Sequence, residues 1–400
     1  MPVKLSIPEP EELLPVAGVK LGTACASIKK PGRRDLLVVE LAKGSRVSGV
    51  FTKNRFCAAP VLLCREHLEA GKGIRALVVN TGNANAGTGE EGLRRARQTC
   101  RELASLLGCE ESQILPFSTG VILEPLPVDK IVAGLPSCIS NLSETNWFDA
   151  AEAIMTTDIQ PKALSRQIAI DGRKVTITGI AKGSGMIHPN LATMLAVVTT
   201  DYPLEAGEAI EFLRPAVEAS FNAISVDGEC STNDTVLLLA NGASGCKRDD
   251  DAFAAALRTV CGELAKQIVA DGEGATVLAE IAVRGAASAG EARAIAERVA
   301  TSPLVKTALH GHDANWGRIA AAAGSAKVNG GYAELDLDRL SIVIDGVPVL
   351  VGGVPSGDEP ALANGHCAIE LDLALGDGAA SYLTTDLSYD YVRINAEYRS

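Results

Sequence analysis

The sequence lacks the features typical of a membrane, secreted or nucleic-acid-binding protein. No block of Lys or Arg reaches five residues and the net charge is -12, so we expect neither nucleic acid nor an anionic membrane as a partner. No apolar run reaches the ~18 residues that a transmembrane helix needs. The first residues are acidic and rich in Pro, without the basic and apolar regions of a secretory signal. We therefore expect a cytoplasmic protein.

The ten cysteines also lack a pattern. They are scattered along the chain and include no Cys-x-x-Cys pair. This spacing argues against a zinc ribbon or a disulfide framework and favours reduced thiols, as in a cytosol. We interpret most of them as small buried apolar groups.

What the chain does have is a large apolar fraction. Its 400 residues are 47% hydrophobic and include 39 Gly, which predicts globular order throughout, in one large core or two to three ordinary ones. Short β-branched or Leu-rich runs predict strands: "DLLVVEL", "ALVVN", "KVTITGI", "LSIVIDGVPVLVGG" and "CAIELDLAL". Apolar spacing near 3.6 predicts four helices, at 90–107, 203–221, 251–269 and 290–300. Strands and helices do not alternate strictly, so we expect α+β layers rather than one doubly wound sheet, with a C-terminal lobe from about residue 285.

One segment imitates a nucleotide-binding loop. Three glycines after the run "ALVVN" satisfy G-x-G-x-x-G: Gly87, Gly89 and Gly92. A dinucleotide site needs the first Gly at the end of the strand and an acid at the tip of the next strand. Gly87 instead comes seven residues after Asn80, and Glu110 and Glu111 precede the next strand. We expect Asn80, Asn83 and Asn85 to hold a tight loop together through side-chain to backbone hydrogen bonds.

The five histidines offer little chemistry. His310 and His312 form an H-x-H pair, but Gly311 and the following "DANWG" suggest a loop and a structural role rather than a metal site. His67, His188 and His366 are isolated in sequence, and no Ser/His/Asp order is evident.

The most informative segment is "KGSGMIHPNLATMLAVVTTD", residues 182–201, in which hydroxyls lie among apolar neighbours. A Thr hydroxyl needs a base, and the α-amine of the same residue becomes one once the preceding peptide bond is cut. That amine titrates near pH 7.7 to 8.0. The flexible Gly183/Gly185 entry, the restricting Pro189 and the small Ala192 suit self-cleavage between Ala192 and Thr193. From spacing alone, a packed strand or helix remains the alternative.

The segment "KGSGMIHPNLATML" resembles the self-processing region of the ornithine acetyltransferase family, the glutamate N-acetyltransferases of arginine biosynthesis. Further segments resemble that family in the same order: "GIRALVVNTGNANAGTGEEG", "LPFSTGVILEPLP", "AIMTTDIQPKA", "SFNAISVDGECSTNDT", "VADGEGATV", "HGHDANWGRIAAAAG" and "VRINAEYRS". The resemblance covers nearly the whole chain.

The resemblance implies a role for each matching residue. Thr193 becomes the N-terminal nucleophile after cleavage into chains 1–192 and 193–400, and Thr119 with Gly120 forms an oxyanion hole. Positions that contact substrate in the family correspond to Thr156 (with Thr157 as an alternative), Lys182, Thr193, Glu273, Asn395 and Ser400. Lys182 suits an α-carboxylate and Glu273 suits an amine. The family segment commonly ends in Thr where this chain has Ser400, and the hydroxyl is preserved. Asp227 and Asp234 are interpreted as turn and capping groups.

The implied reaction moves the acetyl group of N2-acetylornithine to glutamate through an acetyl-Thr193 ester, without metal or bound cofactor. Some family members also use acetyl-CoA, for which the basic segment "SIKKPGRR" at 27–34 is a candidate phosphate site and a charged surface turn the alternative. The implied fold is α+β: stacked mixed sheets flanked by helices, an N-terminal-nucleophile-like sandwich, completed by residues 193–284, with 285–400 as a C-terminal α/β lobe. We expect the two chains to share one core and the pairs to associate further.

Two other functions share part of this pattern. An autoprocessed N-terminal-nucleophile amidase or aminopeptidase would use the same cut but pass the acyl group to water. A non-catalytic binding module would show no cut at all.

Overall fold

The computed structural model describes residues 3, 7–188, 194–363 and 365–397. The chain divides into two compact units. Of the described residues, the larger unit contains 7–222 together with Glu229–Ile268. The smaller unit contains residue 3, Ala223–Gly228 and 269–397.

The strands are, in chain order, β1 (Val19–Ala24), β2 (Leu36–Leu41), β3 (Arg46–Phe51), β4 (Ala76–Asn83), β5 (Ile114–Val121), β6 (Lys162–Ile170), β7 (Arg173–Lys182), β8 (Leu195–Thr200), β9 (Ile224–Ser225), β10 (Thr235–Ala240), β11 (Val277–Ala286), β12 (Lys327–Val328), β13 (Gly331–Tyr332), β14 (Ser341–Ile344), β15 (Val347–Val351), β16 (Val354–Pro355), β17 (Gly365–Asp372) and β18 (Gly378–Thr385). The α-helices are α1 (Ala59–Glu69), α2 (Gly89–Leu107), α3 (Val128–Ser140), α4 (Trp147–Ala153), α5 (Ala209–Glu218), α6 (Asp250–Ala270), α7 (Ala289–Ala300), α8 (Pro303–His310), α9 (Trp316–Ala323) and α10 (Tyr389–Glu397).

The larger unit contains two mixed sheets packed face to face. The four-stranded sheet has the order β1-β2-β4-β5, and the five-stranded sheet has the order β3-β10-β8-β7-β6. The pairs β4–β5 and β8–β10 are parallel, and the other neighbours are antiparallel. One buried cluster takes Leu77 and Phe117 from the first sheet and Val197 and Leu237 from the second. Because these side chains share one core, the inner faces of the two sheets form a sandwich.

Helices cover the outer faces of this sandwich. Val78 and Ile114 alternate with the inner residues and pack in a second cluster with Leu103 of α2 and Ile131 of α3. On the five-stranded sheet, a Cβ at Gly179 of β7 would contact Leu264 of α6 at 2.8 Å. The expected architecture of stacked mixed sheets flanked by helices is therefore confirmed.

The smaller unit is built on a seven-stranded sheet of order β16-β15-β14-β17-β11-β18-β9. Its core joins Ile281 of β11 and Leu371 of β17 to Ile295 of α7 and Ile319 of α9. The unit starts at Val269 rather than near 285. The reason is that β11 pairs with both β17 and β18, so the strand before residue 285 belongs to this sheet.

The predicted helices 90–107, 251–269 and 290–300 agree with α2, α6 and α7 to within one residue at each end. The predicted helix 203–221 is shorter, since α5 spans only Ala209–Glu218. Gly207 precedes it at φ +87, a conformation that cannot continue a right-handed helix. The run "LSIVIDGVPVLVGG" is a hairpin of β14 and β15, in which Asp345 and Gly346 both have positive φ, as an Asp-Gly hairpin turn requires.

Six of the ten cysteines are buried, as expected, and all ten are free thiols. Across residues 7–188, 194–363 and 365–397, no helix is both long enough and apolar enough to cross a membrane.

Candidate active site

Thr119 and Gly120 lie near the end of strand β5, where its pairing with β4 becomes irregular. Thr81 is in register with Thr119 and Gly82 with Gly120, but Asn83 then pairs with both Thr119 and Val121, so the register becomes irregular at this point. The predicted oxyanion-hole residues therefore occupy an irregular position in a strand.

Gly120 cannot be replaced without moving the backbone. Its φ is +133, and a Cβ there would lie 2.3 Å from the carbonyl carbon of Gly82 and 2.5 Å from the nitrogen of Asn83. Gly82, directly opposite, has φ +100. Two facing glycines thus let the backbones of β4 and β5 approach closely at this point.

A chain of buried contacts connects β5 to the start of β8. Asn233 donates from Nδ2 to the carbonyl of Ser118 at 2.8 Å and to the carbonyl of Ala84 at 2.7 Å. The next residue, Asp234, accepts the backbone N–H of Met194 on Oδ1 at 2.8 Å. Asn233 and Asp234 therefore connect the residue before Thr119 with Met194, the residue that follows Thr193 in the chain.

Asp234 is fully buried. Burial raises the pKa of its carboxyl well above the usual range, against the opposing effects of the Met194 N–H and the Lys182 ammonium. The interpretation of Asp234 as a turn or capping group is wrong, since it bonds a residue 40 positions away.

Thr156 and Lys182 meet at one buried carboxylate, that of Asp158. Oδ2 of Asp158 accepts the N–H of Thr156 at 2.9 Å and lies 3.7 Å from Nζ of Lys182. Oδ1 accepts Nζ of Lys162 at 2.7 Å and the N–H of Gly183 at 2.7 Å. Asp158 thus fixes both segments that carry the predicted substrate contacts of this unit.

The charges of this cluster are buried together. The side chains of Lys162, Lys182 and Asp158 are 1%, 2% and 0% exposed. Burial by itself raises the pKa of Asp158, but the two ammonium groups and the Thr156 N–H outweigh it and hold the pKa well below the usual range. Asp158 is therefore ionised at neutral pH, and its cluster with two lysines suits an anionic group such as a carboxylate.

The smaller unit brings together two other predicted residues, Glu273 and Asn395. Nδ2 of Asn395, in α10, donates to Oε2 of Glu273 at 2.8 Å. The hydroxyl of Ser388 donates to the carbonyl of Gly274 at 2.7 Å, which fixes the loop beside Glu273. A Cβ at Gly274 would lie 2.5 Å from the nitrogen of Tyr391, so only glycine permits this approach of α10.

Three predicted residues, Ala192, Thr193 and Ser400, lie outside the described residues, as does Pro189. Their roles, and the division of the chain at 192/193, stay predictions.

The asparagines at the end of β4 and in the loop that follows it form the expected hydrogen bonds. Nδ2 of Asn80 donates to the carbonyl of Asn83 at 3.0 Å, and Oδ1 of Asn83 accepts the N–H of Asn85 at 2.8 Å. Asn85 in turn donates to the carbonyl of Gly92 at 3.0 Å. The predicted side-chain to backbone hydrogen bonds are confirmed, but Asn80 and Asn83 lie in strand β4 and only Asn85 lies in the loop.

Two of the four basic side chains of segment 27–34, Lys29 and Arg34, form ion pairs. Nζ of Lys29 lies 2.7 Å from Glu124, and Arg34 lies 3.2 Å from Asp149. These pairs favour the charged surface turn over a phosphate site.

The histidine pair is not on a strand. His310 ends α8 and contacts Oδ2 of Asp386 through Nδ1 at 2.8 Å, while His312 has φ +54 in the following turn. His67 is buried with Nδ1 at 2.6 Å from the carbonyl of Ile114. In the part of the chain that the structure describes, no three His, Cys, Asp or Glu side chains meet as a metal site requires.

The chain is similar to known proteins of one family. The sequence matches the ArgJ family over residues 20–400. The arginine biosynthesis bifunctional protein ArgJ of Colwellia psychrerythraea is 47% identical over 425 aligned positions that cover 100% of both chains. A crystal structure of ArgJ from Bacillus halodurans is 38% identical, covering 50% of this chain and 98% of its own, with a TM-score of 0.46. The ornithine acetyltransferase of Mycobacterium tuberculosis, complexed with ornithine, is 32% identical, covering 44% and 92%, with a TM-score of 0.39. The family match and the full-length relative show that the chain belongs to the ArgJ family and is an enzyme of arginine biosynthesis.

Proposed function

We propose that the chain is a self-cleaving acetyltransferase that moves the acetyl group of N2-acetylornithine to glutamate through an acetyl ester on Thr193. The observation that carries this proposal is the contact chain through Asn233 and Asp234, which connects Ser118, beside the oxyanion-hole residues, to Met194, beside the nucleophile. The family membership of the whole chain supports the same reaction.

Maturation comes first. The Thr193 hydroxyl attacks the carbonyl carbon of Ala192, the bond from that carbon to the Thr193 nitrogen breaks, and the nitrogen takes the hydroxyl proton. Water then hydrolyses the resulting ester and leaves Thr193 with a free α-amine. This amine is the base that the hydroxyl previously lacked.

The transfer then takes two steps. The α-amine accepts the proton of the Thr193 hydroxyl as its oxygen bonds to the acetyl carbon, and the carbonyl electrons move to oxygen. The Thr119 hydroxyl and the Gly120 N–H stabilise that oxyanion. On collapse the C–N bond breaks and ornithine leaves with the proton. The amine of glutamate then attacks the ester in the same way and releases N-acetylglutamate.

Both substrates carry an α-carboxylate and an α-nitrogen. Lys182, held by Asp158, supplies the positive charge for the carboxylate. Thr156, fixed by the same Asp158, contributes a further polar contact, with Thr157 as the alternative. Glu273, oriented by Asn395, suits an amine, and Ser400 adds a hydroxyl.

A second, acetyl-CoA-dependent acetylation of glutamate would account for the word bifunctional in the relative's name. We also propose that the two chains of the cleaved precursor remain one αβ pair in the cytoplasm and that such pairs associate further. The pairing of β8 with β7 supports this, because strands from both sides of the cleavage position are neighbours in one sheet.

The test gives the purified full chain N2-acetylornithine and glutamate and measures ornithine, N-acetylglutamate and free acetate. Ornithine and N-acetylglutamate in equal amounts support the transferase. Acetate in place of N-acetylglutamate would identify an amidase instead. With N2-acetylornithine alone, the mass of the chain that starts at Thr193 should rise by one acetyl group.

A further inference from the structure

Thr81 lies opposite Thr119 on the neighbouring strand. The strands β4 and β5 are parallel, and Thr81 is in register with Thr119. Side chains in register on neighbouring strands point to the same face of the sheet. Thr81 alternates with Leu77 and Val79, and Thr119 alternates with Leu115 and Phe117, all of which belong to the core between the two sheets. Both hydroxyls are therefore carried on the inner face, one residue before the facing glycines Gly82 and Gly120.

The hydroxyl of Thr81 is buried and unused. The residue is 2% exposed, and its Oγ1 has no hydrogen-bond partner among the described residues. A buried hydroxyl without a partner costs folding free energy that a valine of the same shape would avoid. The backbone N–H of Thr81, by comparison, is paired: it donates to the carbonyl of Asp35 at 3.0 Å. The unpaired group is thus a hydroxyl held in a fixed strand, at the predicted oxyanion hole.

We propose that the Thr81 hydroxyl is a further catalytic residue, a third donor to the carbonyl oxygen that Thr193 attacks, beside the Thr119 hydroxyl and the Gly120 N–H. The inference rests on the proposed function, because it needs an oxyanion at this position. When the carbonyl electrons move to oxygen, the new oxyanion has three lone pairs and accepts three hydrogen bonds. The proton of Thr81 stays on its oxygen throughout, and no bond to Thr81 forms or breaks.

This role explains why the Thr81 hydroxyl is left unpaired by the part of the chain that the structure describes. A donor that is already fixed and unpaired needs no reorganisation when charge develops, so its interaction with the transition state is strong. A donor that bonds the substrate carbonyl weakly and the oxyanion strongly affects kcat more than KM.

The test compares Thr81→Val and Thr81→Ser. Val keeps the shape and removes the hydroxyl, so we expect kcat to fall about 10- to 100-fold while KM for N2-acetylornithine changes less than about threefold. Ser keeps the hydroxyl and should retain kcat within about threefold. The urea midpoint of the Val variant should equal or exceed that of the wild type. If the Thr81 hydroxyl had only a structural role, its removal would lower the midpoint. Thr81→Ala, paired with Thr81→Ser, serves if the Val variant does not fold.

Thr99→Val is the matched control, since the Thr99 hydroxyl is buried but bonds the carbonyl of Arg95 in its own helix at 3.1 Å. It should leave kcat unchanged. Rates are expressed per cleaved chain, with the cleaved fraction taken from the intact mass. A folded Thr81→Val protein that stays uncut also supports the proposal, because self-cleavage forms an oxyanion at the Ala192 carbonyl in the same hole. A cleaved Thr81→Val or Thr81→Ala enzyme with wild-type kcat would overturn it. Failure of the proposed function would look different, because the wild-type protein itself would then transfer no acetyl group.

Discussion

Nδ2 of Asn395 donates a hydrogen bond to Oε2 of Glu273 at 2.8 Å, across 122 positions of sequence. This contact explains why α10, the last described helix, has a polar residue at position 395. It also makes the orientation of Glu273 depend on Asn395.

Asn395→Ala should therefore raise KM for N2-acetylornithine. Glu273 loses its fixed orientation, and the loss of one hydrogen bond to a charged group corresponds to a roughly 10-fold weaker interaction with substrate. Steady-state kinetics measure the change. Arg393→Ala is the control on the same helix, since Arg393 forms an exposed pair with Asp390 and should matter little. An unchanged KM in Asn395→Ala would remove this residue from the site.

Asp158→Asn should destabilise the protein. It leaves the buried ammonium groups of Lys162 and Lys182 without their carboxylate, a loss of about 3–5 kcal/mol in the free energy of unfolding. Urea denaturation measures this loss. Asp149→Asn, which removes one partner of the exposed Arg34, should cost less than about 1 kcal/mol. Equal costs for the two variants would contradict the buried cluster.

The carboxylate of Asp158 should also make the free energy of unfolding depend on pH. The pKa of Asp158 in the folded protein lies well below its value in the unfolded chain. Its contribution to stability is therefore present above the unfolded pKa of about 3.9 and decreases as the pH falls below it. The free energy of unfolding of the wild type should fall as the pH is lowered below about 4. The part of this fall that Asp158 causes should be missing in Asp158→Asn. Parallel curves for the two proteins would refute the prediction.

Gly120→Ala should abolish transfer. The new Cβ would lie 2.3 Å from the backbone of Gly82, which forces β4 and β5 apart at the predicted oxyanion hole. We expect a loss of about 2–4 kcal/mol in stability and of at least about 100-fold in kcat. Gly172→Ala is the matched control: its φ is +73, but no atom lies within 4 Å of the new Cβ. It should cost about 1–2 kcal/mol and leave kcat unchanged. Similar kcat values for both variants would contradict the account.

The buried Lys306, in the smaller unit, should make the free energy of unfolding depend on pH in the alkaline range. Burial lowers its pKa to about 8, although Asp386 and Asp227 act in the opposite direction. Between about pH 8 and 10.5 the unfolded chain binds more protons at this group, so the free energy of unfolding rises with pH, by roughly 3 kcal/mol over the window. The difference between wild type and Lys306→Met, measured by urea denaturation at several pH values, should follow this rise. A difference that stays constant from pH 7 to 10.5 would show that the buried ammonium carries no such cost.

Local patterns in the sequence predict most of the regular structure. Each of these patterns predicts one helix or strand, because the conformation of such an element depends mainly on residues close together in sequence. Examples are the apolar period of 90–107 and 251–269 and the β-branched run "ALVVN". The predicted helix 203–221 fails at its start, where Gly207 takes a left-handed conformation that apolar spacing does not reveal.

The site was only partly predictable, because its contacts join distant segments. Nothing near Asp158 in sequence shows that it bonds Gly183, 25 positions away. Asn233 reaches Ser118 across 115 positions, which no local pattern encodes. The asparagine and aspartate in "STNDT" are a signal that the sequence does contain. Polar residues directly before an apolar strand are either turn groups or buried hydrogen-bonding partners of distant residues, and Asn233 and Asp234 are buried partners. The predicted roles of Thr119, Gly120 and Lys182 came from the family resemblance, not from spacing.

Self-cleavage is the claim on which the proposed chemistry depends, since only a cut before Thr193 creates its α-amine base. The most direct measurement is the intact mass of freshly purified wild-type protein under denaturing conditions, beside Thr193→Ala. The account predicts two chains for wild type, the second beginning "TMLAVV", and one uncut, inactive chain for the variant. A single wild-type chain of full mass, or a cut and active Thr193→Ala protein, would contradict it.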